Sequence, residues 1–436
     1  MTTEERIPAP GEVDLVALDM VSIIHSVLFS SKKENDNYPM RILIVCQHYY
    51  PEQFSITEIA EGFVARGHEV LVVTGKPNYG LWRIAEGYEK ITDETINGVR
   101  VHRVNLKPRK KGVFSIVANY LSFWRNSKRY VRHLKEEFDV VYSMSLSPVI
   151  SIAAANLYSK KHKVPHFLHC LDLWPESPVV TGAVKKGSLV YRLLYRWSRS
   201  LYEKTKLIMV SSPSFEQYFR EELRLENHPI RFVPQPALHI VPSEEKPVFE
   251  HRYNFVYAGN IGTIQLVEDL CRATKIAHEK EDIALHLIGM GSREGAVKEI
   301  IDKEGLSSFI YFYGPKPRNI TAGFYEKSTA ICVTLKQSGT VGKTIPNKLT
   351  SALSLGKPFL ASIGGDGEKI LRESNGAAFA KSETPEGIAE AMLELCKLSE
   401  EEREKMGERN RQYFADHFTE EKIIDDILQI MEKGQD

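Results

Sequence analysis

The sequence predicts an α/β protein made of two domains, each built on a doubly wound, parallel sheet. Three observations predict this class. The chain has 436 residues, more than a single ordinary hydrophobic core accommodates. Short, nearly continuous apolar runs alternate with helical patterns, as buried parallel strands and their crossover helices do. A polar, proline-rich stretch at 234–247 separates two series of such units.

The first series starts with the apolar run at 41–46, and a helix at 55–66 ends at Gly67 before the next strand. A further helix is expected at 148–161. The remaining strands of this half are expected at 70–74, 99–104, 140–144, 165–171, 208–211 and 230–233.

The second series has strands at 254–258, 284–288, 310–313, 330–334 and 359–363, and four of the five run into glycine. Ligands of open α/β sheets sit beyond the carboxyl ends of the strands, where glycine permits close backbone approach. The repetition favours a nucleotide-type ligand over simple chain punctuation. The residues concerned are Gly259, Asn260, Gly262, Gly289, Gly291, Gly314, Gly364 and Gly365.

The stretch at 339–367 reads as loop, helix (347–355), buried strand and a second glycine-rich loop (364–367). Pro346 suits the first helical position, and Gly356 suits a left-handed residue just past the helix end. A helix N-terminus beside such a loop can bind an anion, and Lys343 and Lys348 flank it. The alternative is an ordinary α/β connection with solvated lysines.

Charge and cysteine content limit the kinds of partner and binding site that the sequence can indicate. Lys+Arg and Asp+Glu both total 57, so net charge indicates no partner. The five cysteines form no C-x-x-C pair, which argues against a disulfide framework or a zinc site and suits a reducing cytosol. The apolar run at 13–29 is interrupted by Asp14, Asp19 and His25, so we expect neither a membrane span nor a signal peptide there. Residues 1–39 are interpreted as an extension, and Met40 as a possible working start.

Two basic, aromatic segments are typical of membrane-surface helices. Residues 107–135 contain nine Lys/Arg and no Asp/Glu, and 185–206 form a second such stretch with Trp197. The first carries Trp124 on its apolar side and Arg125, Arg129 and Arg132 on another. Core-packed helices with solvated outer faces and a nucleic-acid surface are the alternatives.

Seven stretches together resemble the family 4 glycosyltransferases, most closely the branch of L-fucosamine transferases in bacterial surface-polysaccharide biosynthesis. They span the chain from Met40 onwards, in the expected order. They are QHYYPEQF (47–54), RGHEVLVVTGKPNYG (66–80), INGVRVHRV (96–104), LHCLDLWPES (168–177), YAGNIGTIQ (257–265), YFYGPKPRN (311–319) and TVGKTIPNKLTSALSLGKPFLASIGGDGE (340–368).

The resemblance implies the GT-B fold: two Rossmann-like domains facing each other across a deep cleft. It implies transfer with retention of anomeric configuration and without a metal, and the chain contains no D-x-D. The implied divisions are an extension (1–39), an acceptor-side domain (40–240), a nucleotide-sugar-binding domain (241–418) and a last helix returning to the first domain (419–436).

The donor site departs from the family pattern. Two glutamates of the wider family correspond here to Lys343 and Ser351, and a usual basic pair corresponds to Thr263 and Ile264. Ser351 can still offer the ribose one hydrogen bond. Besides the glycines and Asn260, the donor-binding candidates are Lys336, Lys343, Pro346, Lys348 and Ser351.

On the acceptor side, Asp172 is the leading candidate for acceptor orientation or proton acceptance. Its alternative is a cap for the following turn. Glu176 and His48 are the other catalytic candidates, and entry into a helix after Pro175 is the alternative for Glu176. Packing is the alternative for Tyr49 and Tyr50. The aromatic candidates for the acceptor cleft are Tyr49, Tyr50 and Trp174.

We therefore expect transfer of a sugar from a UDP-sugar, such as UDP-N-acetyl-L-fucosamine, to a polyprenyl-diphosphate-linked saccharide. The enzyme would work in the cytoplasm, peripherally at the inner face of the membrane, without a cofactor or a nucleic-acid partner. The alternatives are transfer to a soluble acceptor, nucleotide-sugar epimerisation, and a non-catalytic assembly subunit. Binding of UDP, and of liposomes, discriminates among them.

Overall fold

The computed structural model describes residues 39–110, 112–180, 182–237, 242–244, 246–337 and 344–434. Met40–Asp436 forms one compact unit. Two sheets organise this unit, one from each half of the chain. The extension expected at 1–39 lies outside the described residues except for Pro39.

The first sheet has eight strands, and all neighbouring pairs except the first are parallel. Its central strands are apolar along most of their length because both faces are covered. From edge to edge the strands are β3 (Asp93–Ile96), β4 (Val99–Val104), β2 (Glu69–Gly75), β1 (Arg41–Val45), β5 (Val140–Ser145), β6 (His166–Cys170), β7 (Leu207–Val210) and β8 (Ile230–Phe232).

The helices of this half connect the parallel strands as crossovers. The first ends where Gly67 takes φ +87°, as the sequence predicts. The helices are α1 (Ile56–Ala65), α2 (Val113–His133), a 3-10 turn (Val149–Ile152), α3 (Ala153–His162), α4 (Glu176–Val180), α5 (Leu189–Tyr202), α6 (Pro213–Gln217) and a π turn (Tyr218–Glu222).

The second sheet has six strands, all parallel. Its order is β11 (Ile310–Gly314), β10 (Ile283–Met290), β9 (Tyr253–Asn260), β12 (Ala330–Thr334), β13 (Phe359–Ser362) and β14 (Ala377–Phe379). Its helices are α7 (Val267–His278), α8 (Glu294–Lys303), α9 (Arg318–Lys327), α10 (Asn347–Leu353), α11 (Gly365–Ser374), α12 (Pro385–Lys397), α13 (Glu400–His417) and α14 (Glu420–Lys433).

The predicted doubly wound architecture is confirmed, with two strands added at sheet edges. β3 is polar and antiparallel to β4, and Asn97-Gly98 join the two with φ of +47° and +83°. Positive φ at both turn residues is the signature of a tight type I′ hairpin. β14 is only three residues long, which is too short for its sequence to show a strand pattern.

The segment around α10 differs in detail from expectation. Pro346 precedes the helix in an extended conformation instead of opening it, and α10 ends at Leu353. Gly356 does take a left-handed φ of +63°. The expected loop at 364–367 is largely helical, because Gly365 begins α11. Gly339, Gly342 and Lys343 lie outside the described residues.

The last helix, α14, packs against the first sheet's side of the molecule. Its apolar stripe joins the core that contains β1 and α1. A Cβ at Gly62 of α1 would overlap Ile424, so glycine there permits the close approach of the two helices. Arg66 also ion-pairs with Asp425 at 2.5 Å. The buried stripe is Ile423, Ile424, Ile427, Leu428 and Met431, as the helical periodicity predicts.

Within the part of the chain that the structure describes, no helix combines the length and the apolar character needed to cross a bilayer. The longest, α2, carries polar and basic residues throughout.

Candidate active site

Loops from the carboxyl ends of the two sheets meet directly. Ser212 and Ser214 follow β7, and Asp366 follows β13. The Asp366 carboxylate accepts hydrogen bonds from the Ser212 hydroxyl (2.9 Å), the Ser214 hydroxyl (2.9 Å) and the Ser214 backbone N–H (2.8 Å). The Ser212 hydroxyl also accepts the Ile345 N–H, at 3.1 Å. We call this group the Asp366 bridge; it ties the segment before α10 to the first half of the chain.

The glycines predicted at the donor site form a tight backbone cluster. Gly259 and Gly289 have φ of +149° and +142°, which side chains rarely adopt. A Cβ on Gly289 would overlap the Gly259 carbonyl, and a Cβ on Gly291 would overlap the backbone of Ile261. These positions therefore require glycine. As a result, these residues have no side chain of their own to cover the backbone at the carboxyl ends of β9 and β10.

Lys348 reaches this cluster from α10. Its ammonium lies 5.0 Å from the centroid of the Tyr257 ring, and a Cβ on Gly259 would overlap its Nζ. Among the described residues, no carboxylate lies within ion-pairing distance of Lys348. Burial lowers the pKa of Lys348 to about 8. A desolvated cation with no anionic partner, set against glycine backbone, is suited to bind a phosphate group.

The remaining donor-binding candidates either make local contacts or are exposed. Asn260 and the Gly262 N–H both contact the Gln265 side chain, at 3.4 and 3.0 Å, so a local turn occupies them. Lys336 is exposed. Gly314 takes φ +66°, and Ser351 is partly buried on α10. Lys343, the counterpart of a family glutamate, lies outside the described residues.

On the acceptor side, Asp172 lies just beyond β6 and is largely buried. Burial raises the pKa of Asp172, while hydrogen bonds from the Ser147 hydroxyl and backbone N–H partly oppose that rise. Trp174 donates its indole N–H to the same hydroxyl, at 2.7 Å. Ser147, in the loop after β5, thus positions both side chains. Ser147, on a different loop, is therefore a hydrogen-bond partner of Asp172.

His48 is held by a carboxylate that the sequence analysis overlooked. Its Nδ1 lies 2.7 Å from Oε2 of Glu52, and both side chains are almost fully buried. Oε1 of Glu52 accepts the backbone N–H groups of Asn78 and Tyr79, each at 2.6 Å. Glu52 thereby holds the ring of His48, which lines a small cavity of about 10 Å³. Gln47, Met144 and Ser147 also line that cavity.

A buried amide network joins the loops around this cavity. Gln47 donates to the Asn119 side chain at 2.8 Å, and Asn119 donates to Asn78 at 3.2 Å. Asn119 also donates to the Lys107 carbonyl, at 2.6 Å, and Asn78 accepts the Arg109 N–H, at 3.1 Å. The network links Gln47 to α2 and to the loop that carries Asn78, while the Gln47 side-chain oxygen has no hydrogen-bond partner among the described residues. This network could not be predicted from the sequence, because its amide side chains follow no periodic sequence pattern.

Two of the acceptor-side candidates, Glu176 and Tyr49, occupy packing positions, whereas Tyr50 is exposed. Glu176 is buried and accepts the Tyr191 hydroxyl at 2.6 Å, with Lys186 at 3.7 Å. Tyr49 lies wholly in the core of the first sheet, which corrects its assignment to the acceptor cleft. The Tyr50 side chain is exposed, and its carbonyl accepts a hydrogen bond from the buried Arg103. These positions favour a structural role for Glu176 and Tyr49.

The two basic helices lie side by side. Trp124 of α2 and Trp197 of α5 meet edge to face, with centroids 6.4 Å apart, and Lys128 covers the Trp124 ring at 4.9 Å. The exposed stripe of α2 is apolar in its first half and basic in its second, where Arg125, Arg129 and Arg132 are exposed. We call the apolar part of both helices the apolar surface. It comprises Val113, Phe114, Val117, Leu121, Leu189, Val190, Leu193 and Trp197, all exposed.

We expect Asp366→Ala to lower the free energy of unfolding by about 1–3 kcal/mol, since it leaves buried donors of the Asp366 bridge without an acceptor. Urea denaturation measures this change. Glu368→Gln is the matched control, because Glu368 lies in the same first turn of α11 but, among the described residues, pairs only with Arg372 on its own helix. An Asp366→Ala protein as stable as the control would refute the importance of this bridge.

Two family models match consecutive parts of the chain. The Glycosyl transferase 4-like domain matches residues 53–236, and the Glycosyl transferases group 1 domain matches residues 243–413. WbjE of Pseudomonas aeruginosa, named as a probable glycosyltransferase, is 25% identical over 52% of this chain and 58% of its own length. WcaI of Escherichia coli (strain K12), named as a putative colanic acid biosynthesis glycosyl transferase, is 21% identical over 73% of this chain and 82% of its own.

Solved structures share the fold. Sucrose-phosphate synthase from Thermosynechococcus elongatus superposes with a TM-score of 0.68 at 15% identity, covering 91% of this chain and 99% of that one. HepE of Anabaena, in complex with UDP and glucose, gives 0.62 at 13% identity, covering 90% and 100%. Both family models match this chain, one after the other, and the two-sheet architecture is that of known GT-B structures. The chain is therefore a GT-B glycosyltransferase, composed of a glycosyl transferase 4-like domain followed by a group 1 glycosyl transferase domain.

Proposed function

We propose that this enzyme transfers a sugar from a UDP-sugar to a polyprenyl-diphosphate-linked saccharide in the biosynthesis of a bacterial surface polysaccharide, with retention of anomeric configuration. The observation that carries the donor half is Lys348, a desolvated ammonium against the Gly259 backbone with no carboxylate partner among the described residues. The UDP bound in the HepE structure and the colanic acid biosynthesis named for WcaI agree with this choice.

The proposed reaction needs charge stabilisation on one side of the site and acceptor activation on the other. The bond between the sugar C1 and the β-phosphate oxygen breaks, and its electron pair leaves with UDP. Lys348 stabilises that charge, so no catalytic metal is required in the proposal. The acceptor hydroxyl oxygen bonds to C1 on the same face, and Asp172 accepts its proton.

A raised pKa suits Asp172 to this role, because a stronger base takes a hydroxyl proton more readily. His48, held by Glu52, orients the acceptor from the adjoining cavity. Glu176 acts as a positioning residue, since its hydrogen bond from Tyr191 anchors the segment that follows Asp172 and Trp174.

The apolar surface and its neighbouring bases support a lipid-linked acceptor at an anionic membrane face. Phe114 is 93% exposed, Leu189 74% and Leu193 60%, which are high exposures for large apolar side chains. Arg125, Arg129 and Arg132 continue the stripe on α2, and Arg192 and Arg196 lie among the apolar residues on α5. Apolar side chains that insert and bases that contact phosphate headgroups form an interfacial binding surface.

Vesicle co-sedimentation tests this surface. Each base near an anionic leaflet contributes about 1 kcal/mol, so replacing Arg125, Arg129 and Arg132 by glutamine should weaken binding to anionic vesicles by roughly 100-fold. Phe114→Ser with Leu193→Ser should weaken binding at high salt as well. Replacing Lys298, Lys303 and Lys369, exposed lysines of the other half, by glutamine is the matched control. Equal binding by all three proteins would contradict a specific surface.

The transfer itself is tested by incubating the full chain with UDP-sugars and an isolated lipid-linked saccharide in vesicles. We expect UDP release that depends on the lipid-linked acceptor and a product with one added sugar in the retained anomeric configuration. Equal transfer to the delipidated saccharide would contradict the lipid-linked acceptor and favour a soluble one.

A further inference from the structure

We propose that His251, His278 and Asp282 form a binding site for a divalent transition metal, with Zn²⁺ as the expected ion. One ligand atom from each residue lies within 4.8 Å of the other two. His251 lies just before β9, His278 ends α7, and Asp282 immediately precedes β10. The three therefore converge from separate segments at the amino-terminal edge of the second sheet.

Hydrogen bonds to carbonyl oxygens orient both imidazoles. Nδ1 of His278 lies 2.8 Å from the Ile283 carbonyl oxygen, which can only accept, so this nitrogen carries the hydrogen. The His278 Nε2 lone pair is then free to bind a cation. Nε2 of His251 lies 3.1 Å from the Ser308 carbonyl oxygen and 3.2 Å from the Tyr311 hydroxyl, and it can donate its hydrogen to either oxygen. Metal-binding histidines in proteins characteristically donate their other N–H to such an acceptor.

The contact between His251 and Asp282 brings two of the three candidate ligand atoms together. Nδ1 of His251 and Oδ1 of Asp282 are 2.7 Å apart. A proton bridges the two atoms at this distance, and a bound metal ion would take the place of that proton. The backbone N–H of Arg252 donates to the other carboxylate oxygen at 2.8 Å, which holds Oδ1 in this direction.

The ligand set selects the ion. Two imidazoles and one carboxylate suit Zn²⁺ and similar divalent ions, whereas Mg²⁺ and Ca²⁺ prefer oxygen alone. The Asp282 side chain is 54% exposed and that of His251 17%, so an ion and a completing water molecule can reach the site.

The position of the site indicates a structural role. The Gly259 and Gly289 cluster lies at the other end of β9 and β10, which are eight residues long each. At about 3.3 Å per residue, roughly 25 Å separates the two ends. A bound ion would join the starts of β9 and β10 to the end of α7 and stabilise the second sheet without contacting the donor.

The test is titration of the full chain, treated with a chelator and dialysed, with ZnCl₂ in a calorimeter, followed by thermal unfolding. We expect one equivalent to bind and the unfolding temperature to rise. Co²⁺ should give the visible absorption bands of a four-coordinate site. His278→Gln and Asp282→Asn should each weaken Zn²⁺ binding by about tenfold or more.

His133→Gln is the matched control, because it removes an exposed histidine from α2 and should change neither readout. Asp282→Asn keeps an oxygen acceptor for the Arg252 N–H, which separates loss of the ligand charge from loss of folding. The proposal is overturned if Zn²⁺ leaves the unfolding temperature unchanged, or if the Asp282→Asn and control proteins bind it equally. MgCl₂ that matches ZnCl₂ in both readouts would also overturn it.

Discussion

Asp172→Asn should lower kcat by about 10²–10⁴-fold, the range usual for loss of a positioned general base. The substitution preserves shape and the acceptor oxygen for Ser147, so UDP affinity should stay within a few-fold of the parent. The wild-type activity should fall as pH drops through the raised pKa of Asp172, because the protonated carboxyl cannot accept the acceptor proton. The Asp172→Asn protein should lack that acid limb. Steady-state kinetics across pH measures both effects.

Glu176→Gln is the informative comparison for Asp172. It neutralises the neighbouring carboxylate but keeps an acceptor for the Tyr191 hydroxyl. We expect a lower unfolding temperature with kcat reduced only a few-fold. A kcat loss as large as that of Asp172→Asn, with unchanged stability, would show that Glu176 is a catalytic residue, as the sequence suggests.

Lys348→Met should lower kcat/KM for the donor by about 10²–10³-fold, as expected for removal of a preorganised group that stabilises the leaving charge. Methionine retains the apolar stem that packs beside Tyr257, so folding should be preserved. UDP affinity should fall in parallel. Lys369→Met is the matched control, because Lys369 is an exposed lysine of the same half that pairs, within the described part of the chain, only with Glu373. A Lys348→Met enzyme with control-like kinetics would exclude Lys348 from the donor site.

The same lysine predicts how UDP affinity depends on pH. Burial lowers the free-enzyme pKa of Lys348 to about 8, and a bound diphosphate should raise it again. Affinity should therefore be nearly constant well below this pKa and fall as pH rises through it, where the free enzyme must take up a proton to bind. Calorimetric titration of UDP measures this curve, and that of the Lys348→Met protein should be flat over the same range.

Most of the fold is predictable from the sequence because parallel strands buried on both faces leave continuous apolar runs. Val99–Val104 and Ala330–Thr334 are predicted to the residue. β3 escapes prediction because an edge strand that pairs on one side tolerates a polar sequence such as DETI. The Asn97-Gly98 pair was the available signal for it.

The site is less predictable, because its decisive contacts join residues far apart in sequence. The glycines after β9 and β10 are detectable, since only glycine tolerates those backbone angles. The Asp366 bridge is not, because serine and aspartate 152 residues apart carry no shared pattern. Glu52 could have been noticed four residues after His48, but that spacing has meaning only on a helix, and this segment is a loop.

The most direct test of the account is calorimetric titration of the full chain with UDP, and then with GDP and dTDP, at neutral pH. We expect one UDP site of micromolar affinity, weaker binding of the other two nucleotides, and a large loss of UDP affinity in Lys348→Met but not in Lys369→Met. If GDP or dTDP binds in preference to UDP, the proposed donor class is wrong. If UDP binds equally to the parent and Lys348→Met proteins, the diphosphate lies elsewhere and the proposed donor site is contradicted.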